Sequence, residues 1–210
     1  MATVLKWPGK EKSKAGKPSS RSRVLGFFLG LFEPAEPMGK GLAGEMKVAR
    51  QLSRDLGDAW IIINDFKIIT AGGRTQIDHL VLGPPGIFCL ETKNWQTVAC
   101  NDQGHWFRWQ REGWLPQKSP VEQNQGKIKR LEEILKPVDA GVKVQGIIVF
   151  ANPGKFDFSQ ARLPDDTKVF GLPGLLQWFN GLEQENRVYS KEALEKFIAV
   201  LMNKNPSARQ

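Results

Sequence analysis

Two acidic residues and one lysine lie in segments whose patterns are typical of neighbouring β-strands. Asp78 belongs to the run 74–82, and Glu91 and Lys93 belong to the run 87–94. Because side chains alternate between the two faces of a strand, Glu91 and Lys93 share a face. Carboxylates beside an ammonium group can hold a divalent cation and support phosphodiester hydrolysis. These three residues are therefore candidates for a hydrolytic centre.

The turn between the two runs predicts how the carboxylates meet. An even loop centred on Pro84-Pro85 would place Asp78 directly opposite Glu91. Like charges in that position destabilise a hairpin unless they share a proton or a cation. We therefore predict that Asp78 and Glu91 bind Mg²⁺, with Mn²⁺ as a substitute and with substrate phosphate oxygens completing the coordination. Lys93 is predicted to orient the attacking water or to stabilise the scissile phosphate.

A third carboxylate falls on the apolar stripe of the first predicted helix, at about 40–56. Glu45 has helical spacing with Ala49, Leu52 and Leu56, so it should face the sheet. A buried glutamate without a partner is costly. Glu45 is therefore predicted to support the metal as a third acidic group.

A second helix contributes two polar side chains. Ser119, Pro120 and Glu122 form the capping pattern that predicts where this helix begins. Gln123 and Lys127 then lie one turn apart on it and could contact the substrate backbone or orient the site.

The remaining elements predict an α/β fold with an α-β-β-β-α-β core. Strand patterns occupy 59–69, 74–82, 87–94, 97–100, 105–110, 142–150 and 168–170, and further helices are predicted at 172–182 and 190–203. This order requires a mixed sheet flanked by helices.

Other residues capable of chemistry are interpreted as structural. His79 faces away from Asp78 in this register, and a lone histidine such as His79 or His105 is more often packed than used as a ligand. Aromatic residues near short strands could stack nucleic-acid bases, but they more often pack in the core or at an edge. We predict packing for Trp106, Trp109 and Trp114.

Composition indicates an ordinary soluble globular domain with tails. The net charge is +8, but residues 1–23 hold seven Lys or Arg and one Glu, which is +6 and leaves only +2 for residues 24–210. Overall basicity therefore does not by itself predict a DNA-binding face. The two cysteines show no paired metal spacing and no disulfide framework, which is typical of a reducing compartment.

Residues 1–38 are predicted to be a basic disordered arm followed by a short apolar segment. The apolar run at 24–32 has nine residues, about half of the ~20 that a membrane-spanning helix needs. It could pack on the domain or contact a membrane surface with help from the arm. The domain is predicted at 39–205, with a motif-bearing core at 39–150 and a C-terminal strand and helices at 151–205.

Several short motifs together resemble the nuclease-related domain (NERD) family over roughly residues 39–150. They are Gly44-Glu45, Asn64-Asp65, Thr75-Gln76-Ile77-Asp78-His79, Gly86-Ile87-Phe88, Glu91-Thr92-Lys93-Asn94, and Pro120 with Gln123. This family is regarded as a branch of the PD-(D/E)xK restriction-endonuclease-like nucleases. The proline of that superfamily name is absent here, since Ile77 precedes Asp78, but the family pattern itself has Ile-Asp.

The resemblance implies a Mg²⁺-dependent nuclease in which Glu45, Asp78, Glu91 and Lys93 occupy the motif positions and Gln123 is an accessory. We therefore predict a hydrolase that cleaves nucleic acid, with DNA as the expected substrate, as an endonuclease or nickase. Two alternatives remain: a nucleic-acid-binding module without catalysis, and a membrane-peripheral scaffold anchored by residues 1–32. A cytoplasmic location is expected, with peripheral membrane association as an option.

Overall fold

The computed structural model describes residues 2–6, 39–70, 73–158, 161–185 and 188–204. Within these ranges the helices are α1 (Lys40–Asp55), α2 (Pro120–Leu135), α3 (Leu172–Glu185) and α4 (Lys191–Lys204). The strands are β1 (Thr3–Lys6), β2 (Ile61–Thr70), β3 (Gly73–Gly83), β4 (Gly86–Lys93), β5 (Thr97–Cys100), β6 (Trp106–Gln110), β7 (Gly113–Gln117), β8 (Val144–Phe150), β9 (Lys155–Asp157) and β10 (Thr167–Gly171). The predicted α/β class and its α-β-β-β-α-β core are confirmed.

The described strands form two mixed sheets. The larger has the order β1-β2-β3-β4-β8-β10, with antiparallel pairing in β2-β3-β4 and parallel pairing of β4 with β8 and of β8 with β10. The smaller has the order β7-β6-β5-β9. The chain leaves β4 for the smaller sheet and returns through α2 to β8. Consequently β4 and α2, which carry most of the candidate site, are linked through the small sheet.

Helices cover both faces of the six-stranded sheet, because β4 and β8 carry apolar side chains on both sides. On one face α1 and α3 pack through Leu52 and Phe179. On the other face α2 and α4 pack through Leu131 and Phe197. The side chains of α1 and α2 therefore approach the sheet from opposite sides, and a site that uses both helices must lie where the strands separate.

The start of α2 follows the predicted capping pattern. The hydroxyl of Ser119 accepts a hydrogen bond from the backbone N–H of Glu122 at 3.2 Å, and Pro120 is the first helical residue. This satisfies one of the N–H groups that a helix leaves without a partner at its beginning. The capping fixes the point from which Gln123 and Lys127 project.

The prediction for residues 1–38 was wrong for residues 3–6. Thr3–Lys6 pair in parallel with β2, from Thr3 with Ile61 to Lys6 with Asn64, and the side chain of Ala2 is buried. The strand is short, and its partner lies more than fifty residues away in the chain, so local periodicity gave no signal. Residues 7–38, including the apolar segment at 24–32, lie outside the described residues. None of the described helices has the length and apolar character needed to cross a membrane.

The short strands β7 and β9 were not predicted. The pattern of β7 is interrupted by Pro116, a residue that lacks the N–H of a strand and is tolerated at edges. In the four-stranded sheet β7 is indeed a terminal strand.

The cysteines Cys89 and Cys100 are both free and buried.

A close contact at Gly83 holds the β3–β4 hairpin against α3. A Cβ atom on Gly83 would lie 2.4 Å from the ring of Trp60, and that ring packs edge-to-face on Phe179 with centroids 5.2 Å apart. We expect Gly83→Ala to lower the free energy of unfolding by about 1–3 kcal/mol, because a rigid buried ring must move. Urea unfolding followed by circular dichroism measures this.

Gly126→Ala is the matched control, because nothing lies within 4 Å of a Cβ atom at this position in α2. It is expected to stabilise the protein by about 0.5–1 kcal/mol, since alanine is the better helix former. Equal stability changes in the two variants would contradict the packing argument for Gly83.

Candidate active site

The candidate site lies where β3 and β4 separate. Their ladder runs from Gly83 with Gly86 to His79 with Leu90, which confirms the predicted register up to that pair, whereas the predicted pairing of Asp78 with Glu91 is not part of the ladder. Beyond that pair, one carboxylate oxygen of Asp78, Oδ2, accepts a hydrogen bond from the backbone N–H of Thr92 at 2.8 Å. The Asp78 side chain thus replaces the next backbone–backbone hydrogen bond between β3 and β4, and the two strands diverge at this point.

A lysine lies between the two predicted metal-binding carboxylates. The ammonium of Lys127 contacts Asp78 Oδ1 at 3.3 Å and also donates to Glu91 Oε2. Lys127 and Glu91 are buried and Asp78 is partly buried, with 8% of the Lys127 side chain, 12% of Asp78 and 3% of Glu91 exposed. The repulsion predicted between the carboxylates is therefore relieved in this structure by a cation from α2.

The same contacts keep Lys127 charged. Burial alone would lower the pKa of Lys127, but the negative charges of Asp78 and Glu91 and the hydrogen bond to Glu91 outweigh it, so that the pKa is raised above its usual value. The three groups form a buried cluster in which each charge depends on the others. Such clusters lose stability when one member is removed.

Lys93 lies beside Glu91 at the mouth of the site. Its Nζ is 2.6 Å from Glu91 Oε1 and 3.1 Å from the side-chain oxygen of Gln123. It also lies 5.8 Å from the centre of the Trp95 ring. With 18% of its side chain exposed, Lys93 is held by three neighbours and still reaches solvent. Gln123, predicted as an accessory, is brought next to Lys93 by α2.

Glu45 reaches the site from α1, on the other side of the sheet. It is half-buried, and its pKa is raised by burial and by the nearby negative charges of Asp78, Asp65 and Glu91, with Lys127 opposing the shift. Since the repulsion comes from both predicted metal-binding carboxylates, Glu45 lies close enough to respond to them. Its predicted stripe companions Ala49, Leu52 and Leu56 are buried.

These side chains line one groove of about 460 Å³. Its walls come from α1, β3, β4, α2 and the small sheet, and they include Glu45, Asp78, Glu91, Lys93, Arg108, Gln123 and Lys127. The formal charges of these residues cancel, with three carboxylates and three cationic groups. The structure thus brings together all five of the predicted catalytic residues in a groove that is open to solvent.

His79 has a structural role, as predicted. It is buried, points to the α1 side, and has Nδ1 2.7 Å from the side-chain oxygen of Asn64. Burial, together with the positive charge of Lys127, lowers the pKa of His79 to about 3. The imidazole is therefore neutral at physiological pH and joins β2 to β3.

A buried amide connects α2 to the strands beneath the site. The Asn124 Nδ2 donates to the carbonyl oxygen of Cys89 at 2.9 Å, and the Cys89 thiol donates to Asn124 Oδ1 at 3.1 Å. Burial raises the pKa of the Cys89 thiol, so this thiol is a structural donor and not a nucleophile. The pair fixes the height of α2 over β4 and so positions Lys127, three residues farther along the helix.

The donor chemistry of the site suits a hard divalent cation, although a lysine now holds both carboxylates. Asp78 Oδ1 and Glu91 Oε2 converge on the ammonium of Lys127, and carboxylate oxygens are the ligands that Mg²⁺ prefers. Among the described residues, no three acidic, histidine or cysteine groups are clustered closely enough to chelate a metal by themselves. Mg²⁺ commonly uses only one or two carboxylates and completes its coordination with water and phosphate oxygens.

A comparison with known protein families identifies the family of this chain. The model of the nuclease-related domain family matches residues 40–151, just over half of the 210-residue chain. The chain belongs to the nuclease-related domain family. This family is part of the restriction-endonuclease-like superfamily, as the resemblance of the sequence motifs predicted.

The nuclease-related domain extends from α1 to the end of β8 and therefore includes every residue of the groove. An uncharacterized protein of Bacillus anthracis is 33% identical over 105 residues, which are 48% of this chain and 49% of that protein. The chain thus spans about half the length of this relative.

The sequence did not reveal the full roles of two residues that line the groove of the nuclease-related domain. Lys127 was predicted to contact the substrate backbone or to orient the site, yet it lies on the buried stripe of α2 between Asn124 and Leu131. A lysine on an apolar stripe requires a buried anion, and this was the available signal. Arg108 gave no such signal, because only the folding of β6 beside β5 turns it toward the groove.

Proposed function

We propose that this protein hydrolyses phosphodiester bonds of nucleic acid with the help of Mg²⁺, for which Mn²⁺ can substitute. We further propose that DNA is the substrate and that the protein acts as an endonuclease or nickase. One observation carries this proposal: Asp78, Glu91 and Lys93 meet in a solvent-accessible groove of a nuclease-related domain. A carboxylate pair beside a lysine suits a reaction in which negative charge develops on phosphate.

Asp78 and Glu91 would hold the metal in this proposal, and Glu45 would support it from α1. The bound ion would supply a polarised phosphate and an activated water. The Thr92 N–H already fixes one oxygen of Asp78 at 2.8 Å, which limits the rotation of that carboxylate. Preorganised donors and acceptors of this kind do not have to reorient during the reaction.

Lys93 would orient the attacking water or stabilise the charge on the scissile phosphate. Glu91 Oε1 and the side-chain oxygen of Gln123 restrict its ammonium from two sides. Lys93 and Arg108 together give the groove cationic groups that can contact a phosphate backbone. In this arrangement Gln123 is a positioning residue, because it acts through Lys93.

A non-catalytic nucleic-acid-binding module is the second candidate. It is favoured by the contact of Lys127 with both Asp78 and Glu91, because their charges are already compensated by the protein. In that case the groove would attract phosphates through its cationic residues without cleaving them. The membrane-peripheral alternative depends on residues 1–32, of which the structure describes only residues 2–6.

Cleavage assays separate the two candidates. Purified full-length protein is incubated with supercoiled plasmid, linear duplex, single-stranded DNA and RNA, each with Mg²⁺, Mn²⁺ or EDTA. We expect nicked or linear DNA only when metal is present, and no product with Asp78→Ala. If the wild-type protein binds these substrates and cleaves none of them with either metal, the hydrolytic proposal is rejected in favour of the binding module.

A further inference from the structure

The β6–β7 hairpin exposes two tryptophans next to the active-site groove. Trp109 and Trp114 are cross-strand partners and contact each other edge-to-face, with ring centroids 5.4 Å apart. Their exposed fractions are 43% and 45%, whereas Trp106 of the same hairpin is 2% exposed and packs on Phe150. Of the predicted core and edge placements, Trp106 has the first, whereas Trp109 and Trp114 pack against each other on the terminal hairpin of the small sheet.

The exposed pair lines a separate groove of about 780 Å³. We call it the tryptophan groove, and its walls are Trp109, Trp114, Lys47, Lys155, Gln96, Thr97, Asn152, Pro153 and Gly154. None of these lining residues is acidic. Within the described part of the chain, neither lysine forms an ion pair with a carboxylate. The Lys47 ammonium donates to Asn152 Oδ1 at 2.5 Å, and the groove thus combines two aromatic surfaces with two lysines that are not neutralised by a contacting carboxylate of the described residues.

The tryptophan groove lies next to the candidate active site. Arg108 and Trp109 are consecutive in β6 and point to opposite faces of the small sheet, so that Arg108 lines the active-site groove and Trp109 lines the tryptophan groove. On the opposite wall, Asn94 belongs to the first groove and Asn152 to the second, and the Asn152 Nδ2 donates to Asn94 Oδ1 at 2.7 Å. A flexible chain that occupies the tryptophan groove would therefore reach the groove that contains Lys93 along the wall formed by Asn152 and Asn94.

We propose that the tryptophan groove binds a single-stranded segment of nucleic acid by stacking unpaired bases on Trp109 and Trp114. Lys47 and Lys155 contact its phosphates. The faces of paired bases are covered inside a duplex, whereas every unpaired base offers a face to an aromatic side chain. This inference rests on the proposed function, and it narrows the substrate to strands with an unpaired segment beside the scissile bond.

Binding in EDTA tests this inference without requiring cleavage. The full-length protein is titrated into a fluorescently labelled oligothymidylate and into a duplex of the same length, and anisotropy gives each Kd. We expect Trp109→Ala with Trp114→Ala to weaken single-strand binding by about tenfold to a hundredfold. Duplex binding should change by less than about threefold, because cationic contacts dominate it.

Leu115→Ala is the matched control on the same hairpin. Leu115 is 46% exposed and does not line the tryptophan groove, so its variant should bind both probes like the wild type. Circular dichroism verifies that each variant is folded. If the double tryptophan variant is unfolded, the paired Trp109→Phe and Trp114→Phe variant, which keeps a smaller stacking surface, should fold and bind the single strand with intermediate affinity.

A charge variant gives an independent measurement. Lys155→Gln should reduce the slope of log K against log salt concentration by about 0.7 for the single strand, which corresponds to one lost phosphate contact. Unchanged single-strand affinity in a folded double tryptophan variant overturns the inference, as does an absence of single-strand binding by the wild type.

Failure of this inference is distinguishable from failure of the proposed function. Metal-dependent cleavage by a double tryptophan variant that binds single strands normally would reject the tryptophan groove and leave the hydrolytic site. Single-strand binding that depends on Trp109 and Trp114, in a wild-type protein that never cleaves, would reject hydrolysis and leave the tryptophan groove.

Discussion

Lys93→Met is expected to reduce the rate of DNA cleavage by roughly 10²- to 10³-fold, the effect of removing one well-placed group that stabilises transition-state charge. The ammonium of Lys93 is held 2.6 Å from Glu91 Oε1 and 3.1 Å from the side-chain oxygen of Gln123. Methionine keeps most of the aliphatic length and removes the charge. Single-turnover cleavage of a labelled duplex with Mg²⁺ measures the change directly.

Asp78→Asn serves as the companion variant, because it should lose cleavage for a different reason from Lys93→Met. It keeps the shape of the side chain but removes a negative charge from the predicted metal site. We expect it to lose both cleavage and Mn²⁺ binding, whereas Lys93→Met should lose cleavage and retain Mn²⁺ binding as measured by calorimetry. Lys118→Met, at an exposed lysine outside the groove, is the control and should cleave like the wild type.

The proposed roles would be wrong if Lys93→Met and Lys118→Met cleaved at the same rate. They would also be wrong if Asp78→Asn bound Mn²⁺ with the affinity of the wild type. In the first case Lys93 would only compensate the charge of Glu91, and in the second case the metal would be held by other groups.

Lys127→Met is expected to lower the free energy of unfolding in EDTA by about 3–5 kcal/mol, the usual cost of removing one member of a buried ion pair. It would leave Asp78 and Glu91 with Lys93 as the remaining cation in contact with Glu91. Urea unfolding followed by circular dichroism measures this loss. We expect Mg²⁺ to restore part of it, because an ion that binds only the folded state stabilises that state.

Lys129→Met is the control for this experiment, because Lys129 lies two residues away on the exposed face of α2. Its stability should change by no more than about 0.5 kcal/mol. Equal stability of the two methionine variants in EDTA would show that the contacts of Lys127 contribute nothing measurable. The effect of Mg²⁺ is measured as a change in the free energy of unfolding, so this test does not depend on cleavage.

Much of the site was predictable because it depends on local geometry. The two-residue loop Pro84-Pro85 determines the register of β3 and β4. This register alone predicts that Asp78 and Glu91 lie near each other. The capping pattern at Ser119 likewise determined where α2 begins and therefore which turn carries Gln123. Short-range rules of this kind are visible in the sequence.

The rest depends on which distant segments meet. The pattern of α2 shows that Lys127 lies on a buried stripe, but not that Asp78 and Glu91 lie across from it. The placement of Trp109 was similarly hidden, because the alternation of β6 does not reveal which of its faces the larger sheet leaves uncovered. In each case a tertiary contact determined the role of the residue.

The position of β1 affects how shortened forms of this protein would behave. Thr3–Lys6 pair with one edge of β2, and the backbone N–H of Ala2 donates to the carbonyl oxygen of Leu56 at 2.9 Å. A form that started at Gly39 would expose the unpaired N–H and C=O groups of β2, which can pair with another copy of the chain. Aggregation after such trimming would report a lost strand rather than a lost membrane anchor, so deletions directed at the basic arm need to retain residues 2–6.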